Sequence, residues 1–309
     1  MLAVVNPTAG GGKGLARWQR VAPRLARRLG PFTTVFPRDA DDARAVVRRA
    51  IRDGECDLIA AGGDGTVNLV VSAILQHTSA GDRESLRLGA VGLGSSNDFH
   101  KPYRAAQVLA GLPVRVTFHR TVRHDVGRLR YRLPGGDWDC RRWILNASIG
   151  ITADGNRRFN DSPAVARLKR VHASLGMGWA ALTALRDGAP RALTITTDDG
   201  PERTVGVTNL GIVKNPHFTG VLRYDSAYEP GNGRFMVHLL GDVDRRDRLR
   251  AFLALRRGRF TGLPGTATWQ GRRLHVAADR PFAVEGDGEV VVATEAEFSL
   301  DPRALAVCT

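Results

Sequence analysis

Ala60-Ala61-Gly62-Gly63-Asp64-Gly65-Thr66-Val67-Asn68 is the stretch on which the fold of this chain turns. It follows Cys56-Asp57-Leu58-Ile59-Ala60-Ala61, a buried-strand pattern, and opens a segment where Val67, Val70, Val71, Ile74 and Leu75 recur at helical spacing. A glycine-rich turn between strand and helix lets backbone N–H groups approach phosphate oxygens with no Cβ in the way. A plain strand-to-helix turn capped by Asp64 would also favour glycine. Three glycines around one carboxylate exceed that need and point to phosphate binding. Because a carboxylate repels bare phosphate, Asp64 fits only if it reaches a Mg²⁺, an ordered water or a donor hydroxyl.

Two further turns share this character. Leu2-Ala3-Val4-Val5 is a short apolar run followed by Asn6-Pro7-Thr8-Ala9-Gly10-Gly11-Gly12-Lys13-Gly14 and an arginine-rich helical segment. The spacing is not that of a Walker P-loop, since Gly14 follows Lys13 where a hydroxyl is required. Leu88-Gly89-Ala90-Val91 precedes Gly92-Leu93-Gly94-Ser95-Ser96-Asn97-Asp98-Phe99. Three such loops at the ends of successive strands converge on one edge of an open α/β sheet, where ligands bind.

Asn6-Pro7-Thr8-Ala9-Gly10, Gly62-Gly63-Asp64-Gly65-Thr66 and Gly94-Ser95-Ser96-Asn97-Asp98-Phe99 resemble the three N-terminal signatures of the diacylglycerol kinase catalytic domain family, which includes bacterial lipid kinases, sphingosine kinases and ceramide kinases. Thr34, five residues before Asp39-Ala40, sits where that family has a threonine, and Asp287-Gly288-Glu289 matches its late Asp-Gly-Glu. The resemblance runs in order from about residue 2 to residue 300. Gly-Gly-Asp-Gly alone also occurs in NAD kinases and phosphofructokinases; the ordered set is specific.

Composition is that of a basic, intracellular, soluble chain. Lys and Arg number 45 against 31 Asp and Glu, a formal charge of +14. Arg17, Arg20, Arg24, Arg27 and Arg28 fall on the first helical segment and Arg44, Arg48, Arg49 and Arg52 on the second. Such charge favours anionic lipid headgroups at about 1 kcal/mol per basic residue near the surface, although a solvated arginine-biased surface is the simpler reading of any one of them. With 6% aromatic residues and no basic stretch interleaved with stacking side chains, nucleic acid is not an expected partner. Cys56, Cys140 and Cys308 are far apart and odd in number, which suits free thiols in a reducing compartment. No apolar run approaches the roughly 18 residues of a transmembrane helix, and residues 2–5 are too short for a signal peptide. The expected location is cytoplasmic with peripheral membrane contact, and a homodimer is compatible with the sequence.

Strand and helix patterns alternate through residues 1–118, with strands at Leu2–Val5, Phe32–Phe36, Asp57–Ala61 and Arg87–Val91. Helices are expected over about 13–29, 40–53, 66–76 and 103–110. That rhythm predicts an α/β domain with a mostly parallel sheet and helices on both faces. From residue 119 to 297 short strands dominate, among them Arg141–Asn146, Leu193–Thr197, Val205–Leu210, Arg234–Leu240, Thr266–Gln270, Arg273–Ala277 and Pro281–Val284. They predict a β-sandwich-like second domain, interrupted by helices over about 163–187 and 244–257. Within Ala164–Arg186 the apolar residues suit either an ordinary packed helix or the wall of an acyl pocket. The family resemblance implies that residues 298–309 return to the first domain.

The same resemblance implies ATP and Mg²⁺ as cofactors and a lipid alcohol as acceptor. It assigns ATP contacts to Asn6, Pro7, Thr8, Ala9, Gly10, Thr34, Gly62, Gly63, Asp64, Gly65, Thr66, Val67, Asn68, Ser95 and Asn97. Asp64 and Asp98 would organise Mg²⁺ through water. Glu289 would accept the hydroxyl proton, with Asp287 as partner or rival. Where the family has an Asp-Gly pair binding a structural Mg²⁺, this chain has Gly231-Asn232-Gly233, a neutral amide in place of the carboxylate. Asn68 is followed by Leu69 rather than glutamate, Ser95 replaces a threonine, and only Gly220 survives of the glycines usual around residues 214–220. The reading is an ATP-dependent lipid kinase acting on a diacylglycerol-like or sphingoid primary hydroxyl. An NAD kinase-like enzyme and a weakly active nucleotide- or lipid-binding regulator are the alternatives.

Overall fold

The structure, a computed structural model, describes residues 1–103, 107–161 and 183–309. Strands β1 (Leu2–Val5), β2 (Thr33–Val35), β3 (Asp57–Gly62) and β4 (Arg87–Gly92) lie side by side in the order β2-β1-β3-β4, all parallel. Successive strand residues point to opposite faces, and here both faces are covered. Leu2, Val4, Leu58, Ala60 and Leu88 pack beneath helices α2 (Ala40–Arg52) and α3 (Asp64–His77), which supply Val47, Val70 and Ile74. Ala3, Val5, Ile59, Ala61 and Val91 meet Trp18, Val21 and Leu25 of α1 (Gly14–Leu29). Two-sided burial is why these strands are continuous apolar runs rather than alternating ones.

Beyond β4 the pairing changes. β6 (Leu112–Arg115) is antiparallel to β4 and forms a hairpin with β5 (Val108–Leu109). The helix expected over about 103–110 is therefore not formed at Val108–Leu109, while residues 104–106 lie outside the described residues. Ala110 and Gly111 both have positive φ, 54° and 76°, the two-residue turn that closes a tight hairpin and that a helix cannot contain. β7 (Thr121–Arg132), β8 (Trp138–Trp143), β9 (Asn146–Gly150), β10 (Arg191–Thr197), β11 (Arg203–Val213), β14 (Phe235–Gly241), β15 (Thr266–Gly271), β16 (Arg273–Gly286) and β17 (Glu289–Cys308) follow, with the two-stranded pair β12 (His217–Phe218) and β13 (Leu222–Arg223) between them. Among the described residues, every pairing apart from those of β1 to β4 with one another and of β17 with β4 is antiparallel. The sheet is thus mixed, with a parallel centre in the first domain and antiparallel strands through the second.

The second core is built from Leu129, Trp143, Ile149, Leu193, Leu210, Phe235, Leu274, Val284 and Phe298. Arg273–Ala277 and Pro281–Val284, expected as separate strands, are one strand, β16, with a register shift between Ala277 and Phe282. β17 leaves its hairpin with β16, runs antiparallel to β7, and ends beside β4 with Ala306 and Val307 opposite Arg87 and Leu88. Helix α4 (Ile151–Asp161) precedes residues 162–182, which lie outside the described residues together with most of the Ala164–Arg186 segment; residues 183–187 are helical. Helix α5 (Arg245–Arg257) starts at Asp244, whose side chain accepts from the Asp247 N–H, and stops at left-handed Gly258.

Candidate active site

The loops after β1, β3 and β4 meet at a cavity of about 560 Å³. The first loop curls through Gly10, Gly11 and Gly12 at φ 62°, 71° and 85°, a run of left-handed residues that side-chain-bearing amino acids rarely adopt. Asn6 organises it: its Oδ1 accepts from the Thr8 N–H and hydroxyl, while its Nδ2 reaches Thr66 Oγ1 at 3.4 Å. The second and third loops touch so closely that a Cβ on Gly94 would lie 2.6 Å from the Gly63 Cα. No side chain caps the first turn of α3, whose Thr66 and Val67 N–H groups bond the Gly63 carbonyl, and the positive end of its dipole remains for an anion.

Asp64 lines this cavity at the start of α3. Its carboxylate accepts from the backbone N–H groups of Asp98 at 3.0 Å and Phe99 at 2.9 Å, which ties the second loop to the third. Burial pushes its carboxyl up to about 6, with the neighbouring charges of Asp98 and Asp287 adding to the rise and the two N–H bonds opposing it. Asp98 is committed elsewhere. One oxygen takes the Lys101 ammonium and the other the Gly220 N–H at 2.9 Å, while its main-chain carbonyl takes Asn215 Nδ2 at 2.9 Å. Holding Lys101 and Gly220 with its side chain 5% exposed, Asp98 is a clamp between the domains, and it is not among the residues that line the cavity.

Asp287 and Gly288 form the two-residue turn of the β16–β17 hairpin, at φ 49° and 90°, so the Asp-Gly pair serves as a hairpin turn whatever else it does. The Asp287 carboxylate takes four donors: Ile144 N and Asn68 Nδ2 on one oxygen, Leu145 N and Asn146 N on the other. Burial raises its carboxyl above the usual range against the pull of these bonds. Glu289, one residue past the turn, has a side chain 75% exposed and paired to Arg141 at 3.0 Å. Glu285 is buried, accepting from Ser148 Oγ at 2.6 Å and Gly288 N at 2.5 Å.

Burial pushes the Glu285 carboxyl from the ordinary 4.5 up to about 7; the nearby Asp287 charge raises it too, and the two hydrogen bonds oppose the rise. The folded state holds a proton that the unfolded chain releases, so stability is lost as pH rises from about 4.5 through 7. Glu285→Gln removes that titration. At pH 8 the variant is expected to unfold with a free energy higher by on the order of 2 kcal/mol, and to show little difference at pH 4.5. Denaturant unfolding at both pH values checks this; equal differences at the two would refute it.

Of the candidate nucleotide contacts, Asn6, Pro7, Thr8, Ala9 and Gly10 line the cavity, as do Gly63, Asp64, Gly65, Thr66 and Ser95. Thr34 sits on β2 opposite Ala3, and Gly62, Val67, Asn68 and Asn97 lie outside the lining. Gly62 is still constrained, since a Cβ there would strike Thr66 Oγ1 at 2.1 Å, and Asn97 staples its own loop through both polar bonds to Gly94. Neither Asp287 nor Glu289 lines the cavity; Asn68 is the link, one turn along α3 from Asp64. Arg38, Asp39 and Ser96 line it without having been anticipated, and Arg17 Nη1 holds the third loop through the carbonyls of Leu93 and Gly94. An arginine one turn into the helix after the first loop was the available signal. Asn232 lies apart from the cavity, in a loop where its Oδ1 accepts from Lys214.

Residues 1–129 match the diacylglycerol kinase catalytic domain model, and residues 146–309 match the YegS C-terminal NAD kinase beta sandwich-like domain model. A diacylglycerol kinase of Mycobacterium tuberculosis is 24% identical over 314 residues, covering 99% of this chain and 93% of that protein. A probable lipid kinase YegS-like protein of Xanthomonas axonopodis pv. citri is 46% identical over 110 residues, 35% of this chain and 33% of its own length. A solved diacylglycerol kinase structure from Bacillus anthracis superimposes with a TM-score of 0.67 at 14% identity, covering 99% of this chain and 95% of that one, which speaks for the fold alone. Over residues 146–309, more than half its length, the chain belongs to the YegS C-terminal NAD kinase beta sandwich-like domain family, and ahead of that domain residues 1–129 match the diacylglycerol kinase catalytic domain.

Proposed function

We propose that the chain is an ATP-dependent lipid kinase that transfers the γ-phosphate to a primary hydroxyl of a diacylglycerol-like or sphingoid lipid. The observation that carries this reading is the cavity where three glycine-rich loops and the uncapped start of α3 surround the buried carboxylate of Asp64. Phosphates bind to the Gly10 end of the first loop, where the backbone N–H is not engaged by Asn6, and to the α3 N-terminus, with Ser95 alongside. Asp64 fits Mg²⁺ in the way such sites usually hold it, through one carboxylate, water and substrate phosphates. Bound there, Mg²⁺ would neutralise charge on the transferring phosphoryl group. ATP belongs to residues 1–118 and the lipid to the cleft against residues 119–297.

Both oxygens of Asp287 are saturated with donors, so its part is to hold the hairpin against α3. Glu289, at the tip of that hairpin and accessible, is the proton acceptor in this reading. In a loose phosphoryl-transfer transition state the hydroxyl proton leaves late, so a base contributes at the lower end of its usual range. Glu289→Gln is expected to cut kcat on the order of 10²-fold with ATP affinity unchanged; an unchanged kcat would remove Glu289 from the mechanism. On α5, Leu249 and Leu253 are exposed at 52% and 43% beside Arg245, Arg246, Arg250 and Arg256, a face suited to an anionic membrane.

The deciding experiment supplies the purified protein with Mg²⁺, labelled ATP and detergent-dispersed lipid alcohols, with NAD as a competing acceptor. Label in the lipid phase supports the kinase reading and identifies the acceptor class. Label on NAD alone replaces it with an NAD kinase, the other activity suggested by the second domain's family. Label on neither, with ATP still bound, leaves a nucleotide-binding regulator.

A further inference from the structure

Lys214 follows β11 directly, and its side chain is 3% exposed. Its ammonium faces four oxygens: Asp125 Oδ2 at 2.8 Å, the Glu229 carbonyl at 2.8 Å, Asn232 Oδ1 at 2.9 Å and the Arg234 carbonyl at 2.7 Å. An ammonium has three N–H groups, so one is shared between two acceptors. One carboxylate, one amide oxygen and two main-chain carbonyls form the donor set expected around a hard divalent cation. The family resemblance placed a structural Mg²⁺ in this same loop, at Asn232. The residues do not fit that ion. The centre of the cage is taken by a tethered cation, and Asp125, the carboxylate at the centre, is already balanced by it. Burial pulls the Lys214 pKa below the usual lysine value, and Asp125 and Glu229 act against that pull.

We propose that the Lys214 ammonium is a built-in replacement for a divalent ion, making the junction between the two domains independent of metal. The cage reaches several parts of the chain. Asp125 Oδ2 also accepts from Gly233 N and its Oδ1 from Arg303 N, each at 2.8 Å, and its own N–H donates to the Pro230 carbonyl. One residue on, Asn215 bonds the Asp98 carbonyl; Gly220 bonds the Asp98 carboxylate, and the Asp98 N–H bonds Asp64. A cavity of about 170 Å³ adjoins the cage, lined by Lys214, Glu229 and Asn232 among others.

The test uses nucleotide-free protein stripped with EDTA and desalted, then titrated with MgCl₂ or CaCl₂ while melting temperature and calorimetric heat are followed. It needs no substrate, so failure of the kinase reading leaves it intact. The wild type is expected to stay within about 1 °C, whereas a divalent ion at about 100 times its Kd would raise the melting temperature by roughly 5 °C. Lys214→Met is expected to melt lower, and the double variant Lys214→Met with Asn232→Asp, which trades the ammonium for a second carboxylate, to regain stability on adding either ion. Asn232→Asp alone should ignore both. One equivalent of ion bound by the wild type and equally by Asp64→Asn, which takes away the active-site carboxylate, overturns the proposal, as does a double variant that folds and responds to neither ion. Should both methionine variants fail to fold, the wild-type and Asn232→Asp titrations decide.

Discussion

Asp64→Asn is expected to lower turnover by about 10³-fold while leaving a folded protein, the scale of losing one preorganised electrostatic group at a phosphoryl-transfer site. The wild-type carboxylate has two tasks. Its oxygens accept the N–H groups of Asp98 and Phe99, and its charge faces the cavity where phosphates and Mg²⁺ are proposed to meet. Asparagine keeps one acceptor oxygen and turns an NH₂ toward the other N–H, a mismatch costing about 1–3 kcal/mol. Part of this is offset, because the folded pKa lies above the usual carboxylate value and ionised Asp64 therefore destabilises the fold at neutral pH. The pH profile separates the tasks. Wild-type turnover should fall as pH drops below about 6 and Asp64 takes up its proton, and the variant's residual rate should lack that limb. Wild-type turnover in a folded Asp64→Asn protein would remove Asp64 from the chemistry.

Asp287→Ala is expected to destabilise the protein by about 4 kcal/mol and lower its melting temperature by roughly 6 °C. Four donors lose their acceptor at once: the N–H groups of Ile144, Leu145 and Asn146, and the Asn68 amide. Each orphaned buried donor costs about 1–3 kcal/mol, and the sum is reduced because bonds on one carboxylate are not independent. Alanine at φ 49° adds backbone strain, so Asp287→Gly, which suits that angle, isolates the loss of the bonds. Scanning calorimetry of both variants checks this. A shift under about 2 °C for the glycine variant would show that the hairpin is held by something else.

The glycine-rich loops were legible in the sequence because glycine chemistry is local. A carboxylate flanked by glycines after an apolar run carries its geometry within nine residues. The partners of that chemistry were not legible in the same way. Asp98 reads locally as part of a ligand loop, and its bond to Gly220, 122 residues on, has no local signal. Asp287 looks like a base until Asn68, 219 residues away, and three N–H groups are seen to saturate it. Lys214 gave no sign at all, since a lone lysine after an apolar strand is ordinarily a solvated side chain and only tertiary closure surrounds it with oxygen. The end of the helix expected over 103–110, where Val108–Leu109 is a strand, is a different case. Ala110-Gly111, both at positive φ, closes a hairpin there.

The last strand has a consequence for how the protein is made. β4 is paired along one side by β3, but its Arg87–Leu88 end meets its other neighbour only at Ala306 and Val307. Arg115, sandwiched between Phe99 and Tyr103, likewise waits for the Cys308 carbonyl. At roughly 5–20 residues per second on the ribosome, the nucleotide domain emerges well before the residues that close its sheet. An open strand edge is a template for pairing with another chain. Vectorial synthesis therefore leaves this domain exposed to misassembly until the far end of the polypeptide arrives, and fragments ending before residue 306 should not be treated as miniature versions of the protein.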